Sequence, residues 1–337
     1  MTAPLTLAAL GHLKLRHLRL LDLLARHGTL HRAAAQLHVS QPAVTGMLND
    51  IEALFGVRLF TRSRQGVALS AAGTNLLGPV RTLLNEFEAL QERVEEARAG
   101  GSRTLRIGAV PHVFAWLLPR LAERMAESGN IALQAFDGPS PTLLDLLLEG
   151  KLDCVIGRVT ADWLLGDAAR QIHFEPLYEE TMVFVAGASH PVLKKRRLRY
   201  SDLITESWVL PTRASTTRRA FIEAFLHNGL TPPNPKLETS SFLYNVTVAA
   251  TSSMLTLAPR TGTLPYQRQG LIALLDLRVD ATPMAVNLVT RTNASTDPAI
   301  AALIDTVRSV VTQNAMSLTP GEGRAGRETS QASRTPS

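Results

Sequence analysis

Three short helical stripes of apolar residues open the chain. Leu18, Leu21, Leu24 and Ala25 share one face, and Gly28 is the residue type that closes a helix in the left-handed conformation. Thr29 can cap a second helix over Leu30–Leu37, where Ala33, Ala34 and Ala35 favour helix and allow close approach by a neighbour. His38 and Val39 leave room for a tight turn, and Ser40 can cap a third helix that starts at Gln41. Pro42 falls in the first turn of that helix, where its missing N–H matters little. Val44, Leu48, Ile51 and Leu54/Phe55 form the buried face. Helix, helix, tight turn, helix is the helix-turn-helix arrangement. After Leu59 and Phe60, the polar string Thr61–Val67 reads as a short hairpin.

The period then changes. Leu76, Val80, Leu83, Phe87, Leu90, Val94 and Ala97 alternate four and three apart, which is the a/d seam of a two-stranded coiled coil. Glutamates and arginines flank it, and Gly78-Pro79 should kink or restart this helix. The alternative for the same pattern is an amphipathic helix packed on its own domain. Ala99-Gly100-Gly101-Ser102 marks a hinge.

Beyond the hinge, strand-like and helix-like segments alternate. Thr104–Val110, Ile131–Phe136, Leu152–Gly157, Leu177–Val185, Trp208–Leu210, Met254–Ala258, Ile272–Leu277 and Met284–Thr290 read as strands. Helices lie between them, running from Pro111 to Met125, and over Leu143–Leu148, Arg218–Asn228, Phe242–Ala250 and Pro298–Gln313. That alternation argues for mostly parallel sheet covered by helices. From Leu318 the chain is rich in Gly, Ser, Thr, Pro and charge, and 315–337 reads as a disordered tail.

Charge sharpens the picture of the N-terminal segment. The chain of 337 residues has a net charge of +6. Residues 1–70 carry eight lysines and arginines against three acidic residues, the electrostatic footprint of nucleic-acid binding. In a helix-turn-helix the third helix enters the major groove with its first residues against base edges. The candidates for DNA contact are therefore Arg32, Ser40, Gln41, Pro42, Thr45, Gly46 and Asn49, with Arg62 and Arg64 on the hairpin. Gln41 can pair bidentately with adenine, Thr45 can donate to a base or pack its methyl on thymine, and the two arginines can face phosphates or a narrow minor groove.

The run from Gly28 to Gly73 carries a resemblance. Ala34–Leu37, the SQPAVT of Ser40–Thr45, the IEALFGVRLFTR of Ile51–Arg62 and the LS-x-AG closure at Leu69–Gly73 are similar to the N-terminal signature of LysR-type transcription regulators. This chain departs from that family at Gly46, where a long polar residue is common. The resemblance implies an N-terminal winged helix-turn-helix (mostly α) and a long linker helix. A two-lobed α/β effector domain, itself similar to periplasmic solute-binding proteins, follows. The expected bounds are 1–70 for the DNA-binding domain, 71–101 for the linker helix and 102–314 for the effector domain. Lobe I would comprise 102–184 and 269–314, and lobe II 185–268, with crossings near Phe184–Gly187 and Tyr266–Gly270.

In such folds ligands lie beyond the carboxyl ends of strands, against helix N-termini. Three loops qualify: Val110, Pro111, His112 and Val113 after the first strand; Pro139, Ser140 and Thr142 before a helix; and Arg213, Ser215, Thr216 and Arg218 before another. Hydroxyls, an imidazole and guanidiniums suit an organic anion. Ser and Thr at these positions are equally expected as helix caps, and one of the two arginines as a solvated charge.

The function expected is sequence-specific DNA binding under small-molecule control. The partners expected are double-stranded DNA, the effector and further copies of the chain as a dimer or tetramer, with RNA polymerase as a further candidate. The alternatives are a solute-binding module without a DNA role, and an enzyme built on the α/β part. No metal-ligand cluster, phosphate-binding glycine loop or G-x-S-x-G elbow supports the enzyme, so no cofactor and no metal are expected. The lone Cys154 excludes an internal disulfide switch. No apolar run spans a bilayer and no export signal is evident, so the expected location is the cytoplasm.

Overall fold

The structure is a computed structural model that describes residues 10–63, 66–99, 101, 103–128, 131–160, 163, 167–292 and 297–314. The chain forms two compact units. The first comprises Met1–Val110, Ala122–Pro176 and Asn287–Ile304, and the second Pro111–Leu121, Leu177–Val286 and Asp305–Ser337.

The first unit begins with α1 (Leu15–His27), α2 (Leu30–Gln36) and α3 (Gln41–Phe55). Local chemistry sets each end. Gly28 closes α1 at φ 66°, and its N–H donates to the Leu24 carbonyl. Thr29 caps α2 by accepting the Arg32 N–H, and Ser40 caps α3 by accepting the Ala43 N–H, both at 3.4 Å. His38 takes a left-handed conformation (φ 53°) in the turn between α2 and α3. The strands β1 (Phe60–Ser63) and β2 (Gly66–Leu69) form an antiparallel hairpin that pairs Arg62 with Val67. Leu20, Leu24, Val44, Leu48, Ile51 and Leu59 fill the core of this segment.

The linker helix α4 (Ala71–Ala99) runs through Pro79 as one helix, so of the kink or restart expected at Gly78-Pro79 the restart does not occur. The Thr82 hydroxyl donates to the Gly78 carbonyl at 3.1 Å, one turn along. Charged groups fix α4 to its surroundings. Arg81 donates to the buried Asp22 of α1 at 2.8 Å. Arg291 pairs with Glu86 at 2.8 Å while also donating to the Leu147 and Leu152 carbonyls.

The remaining elements of this unit are built on a sheet of order β4-β3-β5-β12-β6. Its strands are β3 (Arg103–Ala109), β4 (Ile131–Asp137), β5 (Cys154–Gly157), β6 (Ile172–Glu180) and β12 (Met284–Arg291). β3 runs parallel to β4 and β5, and β12 antiparallel to β5. Helices α5 (Pro111–Ser128) and α6 (Ser140–Leu148) follow β3 and β4 in the chain.

The second unit has its own sheet of order β11-β7-β10-β8-β9. These strands are β7 (Met182–Gly187), β8 (Ser207–Leu210), β9 (Leu237–Glu238), β10 (Met254–Pro259) and β11 (Ile272–Leu274). Its helices include α7 (Thr216–His227), α8 (Phe242–Thr251) and α9 (Arg260–Arg268), and α10 (Pro298–Gln313) ends the described chain. Phe184, Tyr200, Trp208, Phe221 and Phe225 meet edge-on at the centre of this unit's core.

Two expectations are corrected here. The single strand expected over Leu177–Val185 is two strands, one ending β6 in the first sheet and one opening β7 in the second. Ile272–Leu274, expected in lobe I, pairs antiparallel with Val185–Gly187 in the second sheet. The chain passes between units at Val110/Pro111, Leu121/Ala122, Pro176/Leu177, Val286/Asn287 and Ile304/Asp305, and none of these passages falls near Tyr266–Gly270. The chain from 315 onward, expected as a disordered tail, lies outside the described residues, as do Gly100 and Ser102 of the expected hinge.

Candidate functional site

On α3, Val44, Leu48 and Ile51 point into the core while Gln41, Pro42, Gly46 and Asn49 are exposed and Thr45 is half-buried. The 3.6-residue repeat thus separates a packing face from a polar face that begins at the helix N-terminus, where unpaired N–H groups favour phosphate. The hairpin is tied to that face. Exposed Arg62 donates from Nη2 to Asn49 Oδ1 at 3.0 Å, which sets the guanidinium beside the middle of α3. Arg32 is exposed on α2. A Cβ at Gly46 would meet nothing within 4 Å among the described residues, so packing does not require glycine there. Arg64 lies outside the described residues.

A buried carboxylate that the pattern of the sequence did not reveal sets the angle of this hairpin. Glu52 Oε1 accepts the N–H groups of Leu59 (2.8 Å) and Phe60 (3.1 Å), and Oε2 pairs with Arg58 at 2.9 Å. At the hairpin's other strand, the Val67 N–H donates to the Gly28 carbonyl at 2.8 Å. Gly66 adopts φ 133°, and a Cβ there would sit 2.1 Å from the Gly28 carbonyl oxygen. Only glycine permits that approach.

The residues expected to hold a ligand are divided between the two units. In the first unit the Val110 N–H donates to the Ile156 carbonyl at 3.2 Å, and buried Ser140 accepts the Arg158 N–H at 3.1 Å. Gly157 lies so close that a Cβ would come within 2.9 Å of Ser140 Oγ. Val110 and Ser140 therefore meet beyond the carboxyl ends of β3 and β5, while Pro139 and Thr142 are exposed beside them.

In the second unit, Ser215 caps α7 by accepting the Arg218 N–H at 3.0 Å. Thr216 is half-buried and Arg213 exposed. Arg218 is 4% exposed, which answers the question of which arginine is solvated. Its Nη2 lies 3.6 Å from Glu238 and its guanidinium carbon 5.8 Å from the Phe221 ring centre. Nε and Nη1 have no hydrogen-bond partner among the described residues. Burial, with help from Arg213, lowers the Arg218 pKa against the opposing pull of Glu238.

At the start of α5, Pro111 and His112 are half-buried, but the Val113 side chain is fully buried. Val113 is thus a core residue, and its apolar side chain serves packing. His112 packs edge-on to Phe242 and lies 3.9 Å from Glu180. Burial pushes His112 down to about 4 and Glu180 up to about 7, so both shifts move towards the neutral forms and the contact is not an ion pair near neutral pH. Glu180 accepts the Thr181 and Thr261 N–H groups and the Thr261 hydroxyl. The Trp116 and Tyr178 rings meet edge-on beside it at 5.8 Å, and Arg260 Nε is also buried in this unit without a hydrogen-bond partner among the described residues. Glu180 is one of three acids in the strand Ile172–Glu180, with Glu175 and Glu179, and nothing in the sequence sets it apart from the other two.

Residues 15–74 match the profile of the bacterial regulatory helix-turn-helix proteins of the lysR family, and residues 98–312 match that of the LysR substrate binding domain. The chain belongs to the LysR family.

As a member it is a DNA-binding transcription regulator with a ligand-binding domain. Among relatives of this regulator, PcaQ of Agrobacterium fabrum is 27% identical over 297 residues, covering 88% of this chain and 94% of PcaQ. GbpR of Azospirillum brasilense is 30% identical over 252 residues, covering 74% of this chain and 72% of GbpR. A full-length OxyR variant from Pseudomonas aeruginosa shares the fold at TM-score 0.58 with 22% identity, covering 88% of this chain and 98% of that one. CbnR, a LysR family regulator, does so at TM-score 0.56 with 20% identity, covering 89% and 99%.

The regulator's linker seam is divided. Leu76 and Val80 pack into the core of the DNA-binding segment, whereas Leu83, Phe87, Leu90 and Val94 are exposed. A groove of about 300 Å³ runs beside them, lined in part by Leu15, Leu84, Phe87 and Val94. The reading of a helix packed on its own domain thus holds for the first half of the heptad, while the second half presents its apolar residues at the surface. No helix among the described residues is long and apolar enough to cross a membrane.

Proposed function

We propose that the regulator reads operator DNA in the cytoplasm as a dimer or a pair of dimers, and that a small organic anion controls it. Gln41, Pro42, Thr45, Gly46 and Asn49 face base edges, Ser40 and Arg32 approach the backbone, and Arg62 and Arg64 of the wing reach phosphates or the minor groove. The exposed half of the linker seam, from Leu83 to Val94, pairs with the same stripe of a second copy. The α/β domain acts by binding rather than by catalysis, in keeping with a family of transcription regulators.

One observation carries the anion. Arg218 is buried at the N-terminal end of α7 with two guanidinium nitrogens unpartnered. A buried cation with unmet donors is costly unless an anion completes it. The N-terminus of α7, with Ser215 and Thr216, adds donors at the same helix end. Ser140, Val110, Pro139 and Thr142 of the first unit, and Pro111 and His112 at the start of α5, supply further polar and apolar surface for the same class of ligand. A ligand helps one conformation of the regulator only to the extent that it binds that conformation better.

The test is thermal unfolding of the full chain against a panel of carboxylates, sulfonates, sugars and aromatic acids. A true effector at ~100 times its dissociation constant adds roughly 2.7 kcal/mol and raises the melting point by a few degrees. The shift should be confined to anions and be lost in Arg218→Gln. The exposed Arg213→Gln, which leaves the core untouched, should weaken it. A shift produced only by neutral compounds, or one that survives both substitutions, would refute the anion assignment.

A further inference from the structure

The segment between β7 and β8 carries five basic residues in six positions: Lys194, Lys195, Arg196, Arg197 and Arg199. It is not a loose loop. A 3-10 turn at Pro191–Lys194 leads in, and another at Tyr200–Leu203 leads out. Val192, Tyr200 and Leu203 are buried in the aromatic core of the second unit, with Leu193 and Leu198 packed partly against it. Hydrogen bonds lock both flanks. The His190 ring accepts the Val192 N–H at 3.1 Å, Asp202 accepts the Arg199 N–H at 2.9 Å, and the Tyr200 hydroxyl donates to the Arg278 carbonyl at 2.8 Å.

With Leu193 and Leu198 held inward, the four residues between them have nowhere to go but outward. All four are exposed, as is Arg199. Lys195 pairs with Asp202 at 2.9 Å. Lys194, Arg196 and Arg197 have no ion-pair or hydrogen-bond partner among the described residues. The turn therefore holds Lys194, Arg196 and Arg197 as unpaired cations at the surface, on a backbone anchored at both flanks.

Exposed cations side by side along a turn make no buried pocket for a small anion. They suit a surface on which negative charge repeats. Duplex DNA presents one charge per about 1.7 Å of axis, and this regulator already holds duplex DNA through another part of the chain. We propose that Lys194–Arg199 is a second, sequence-independent contact to the phosphate backbone of duplex DNA, made by the ligand-binding part of the regulator. It acts with the contacts of α3 and the wing and reads no bases itself. Its rigid anchoring means that little loop entropy is lost on contact.

The experiment measures binding of the full chain to a mixed-sequence duplex of about 60 base pairs, by fluorescence anisotropy, at salt concentrations spanning roughly 50–200 mM. The test variant is Lys194→Gln with Arg196→Gln and Arg197→Gln. The charge-matched control is Lys236→Gln with Arg219→Gln and Arg268→Gln, which removes as many exposed cations from the same unit. Each phosphate contact contributes about 0.9 to the slope of log K against log salt, so the test variant should lose roughly 2–3 from that slope. Its affinity near 150 mM salt should fall on the order of tenfold to a hundredfold. The control should change the slope by less than 1, and an Arg196→Lys, Arg197→Lys variant should bind like the parent. All of the substituted side chains are exposed, so the melting point serves as a check on folding. An unchanged slope in the test variant, or an equal loss in the control, would overturn the proposal. Loss of transcriptional output with unchanged DNA binding would also overturn it, and would point to an acidic protein surface as the partner.

Discussion

Replacing Glu52 tests whether one buried carboxylate aims the wing. Glu52 is 6% exposed, and both backbone N–H groups it receives belong to buried residues, Leu59 and Phe60. Glu52→Ala strands those two donors. Each unsatisfied buried donor costs about 1–3 kcal/mol, so the loss should be about 2–4 kcal/mol if water partly refills the space. For a domain of this size that is a fall of about 10 °C or more in melting temperature. Glu52→Gln keeps an oxygen where Oε1 receives both N–H groups and gives up only the pairing with Arg58. The Arg58 side chain is 77% exposed, so that pairing is worth less than about 1 kcal/mol.

Trp116, Trp163 and Trp208 are the only tryptophans and all lie outside this domain. Tryptophan fluorescence would therefore miss the change. Calorimetry, with amide hydrogen exchange read at Leu59 and Phe60, would capture it. Acid titration adds a second readout. Burial alone would raise the Glu52 pKa, but the Phe60 and Leu59 N–H groups and Arg58 outweigh it and hold the carboxyl below its ordinary 4.5. A depressed folded pKa gives stability that is present above the unfolded value and lost as pH falls through the folded one. The parent should show this acid-side slope, and Glu52→Gln should lack its share of it. An Ala variant as stable as the parent, or a Gln variant as damaged as Ala, would refute the reasoning.

Glu180 should show the opposite dependence. Its folded pKa is raised to about 7 by burial, so its contribution is full below the unfolded value near 4.5 and declines as pH rises through about 7. Glu180→Gln should flatten that decline and gain stability relative to the parent at pH 8, measured by chemical denaturation; an unchanged pH profile would count against it. Gly66→Ala should disrupt the wing, because its Cβ would sit 2.1 Å from the Gly28 carbonyl oxygen. It should weaken DNA binding while leaving ligand-induced stabilisation of the α/β domain intact. Cys154 is fully buried, and burial together with Asp153 raises its thiol pKa. A thiol reagent should label it only on global unfolding, and rapid labelling of the native chain would contradict its placement.

How much of this was legible in the sequence depended on how far each signal lay from what it controls. Gly28, Thr29 and Ser40 act within a turn of the helix ends they set, and a local reading places all three. The heptad from Leu76 to Val94 was equally plain, but a heptad does not say which neighbour fills it. Only folding shows Leu76 and Val80 facing their own domain and Leu83 to Val94 facing outward. Strand pairing is less local still. Ile272–Leu274 looks like any short strand, and its partner, Val185–Gly187, is set by chain more than eighty residues earlier. That distance is why the expected passage near Tyr266–Gly270 lies instead at Val286/Asn287. The polar core escaped for the same reason. Glu52 and Glu180 look like ordinary acids until the N–H groups of Leu59, Phe60 and Thr261 are brought to them. Arg218 could not be told from a surface charge until Phe221 and Glu238 closed over it.

The central claim is that the polar face of α3 and the wing read DNA sequence. The most direct measurement is selection of bound sequences from a random duplex pool by the full chain, in parallel with a variant carrying Gln41→Ala, Thr45→Ala and Arg62→Ala. All three positions lie off the buried face of α3 or on the exposed wing, so the variant should fold. The parent should enrich a motif with two related half-sites about one helical turn, or a multiple of it, apart. The variant should enrich no motif while retaining weak, salt-sensitive binding. No enrichment by the parent, or the same motif enriched equally by the variant, would contradict the account.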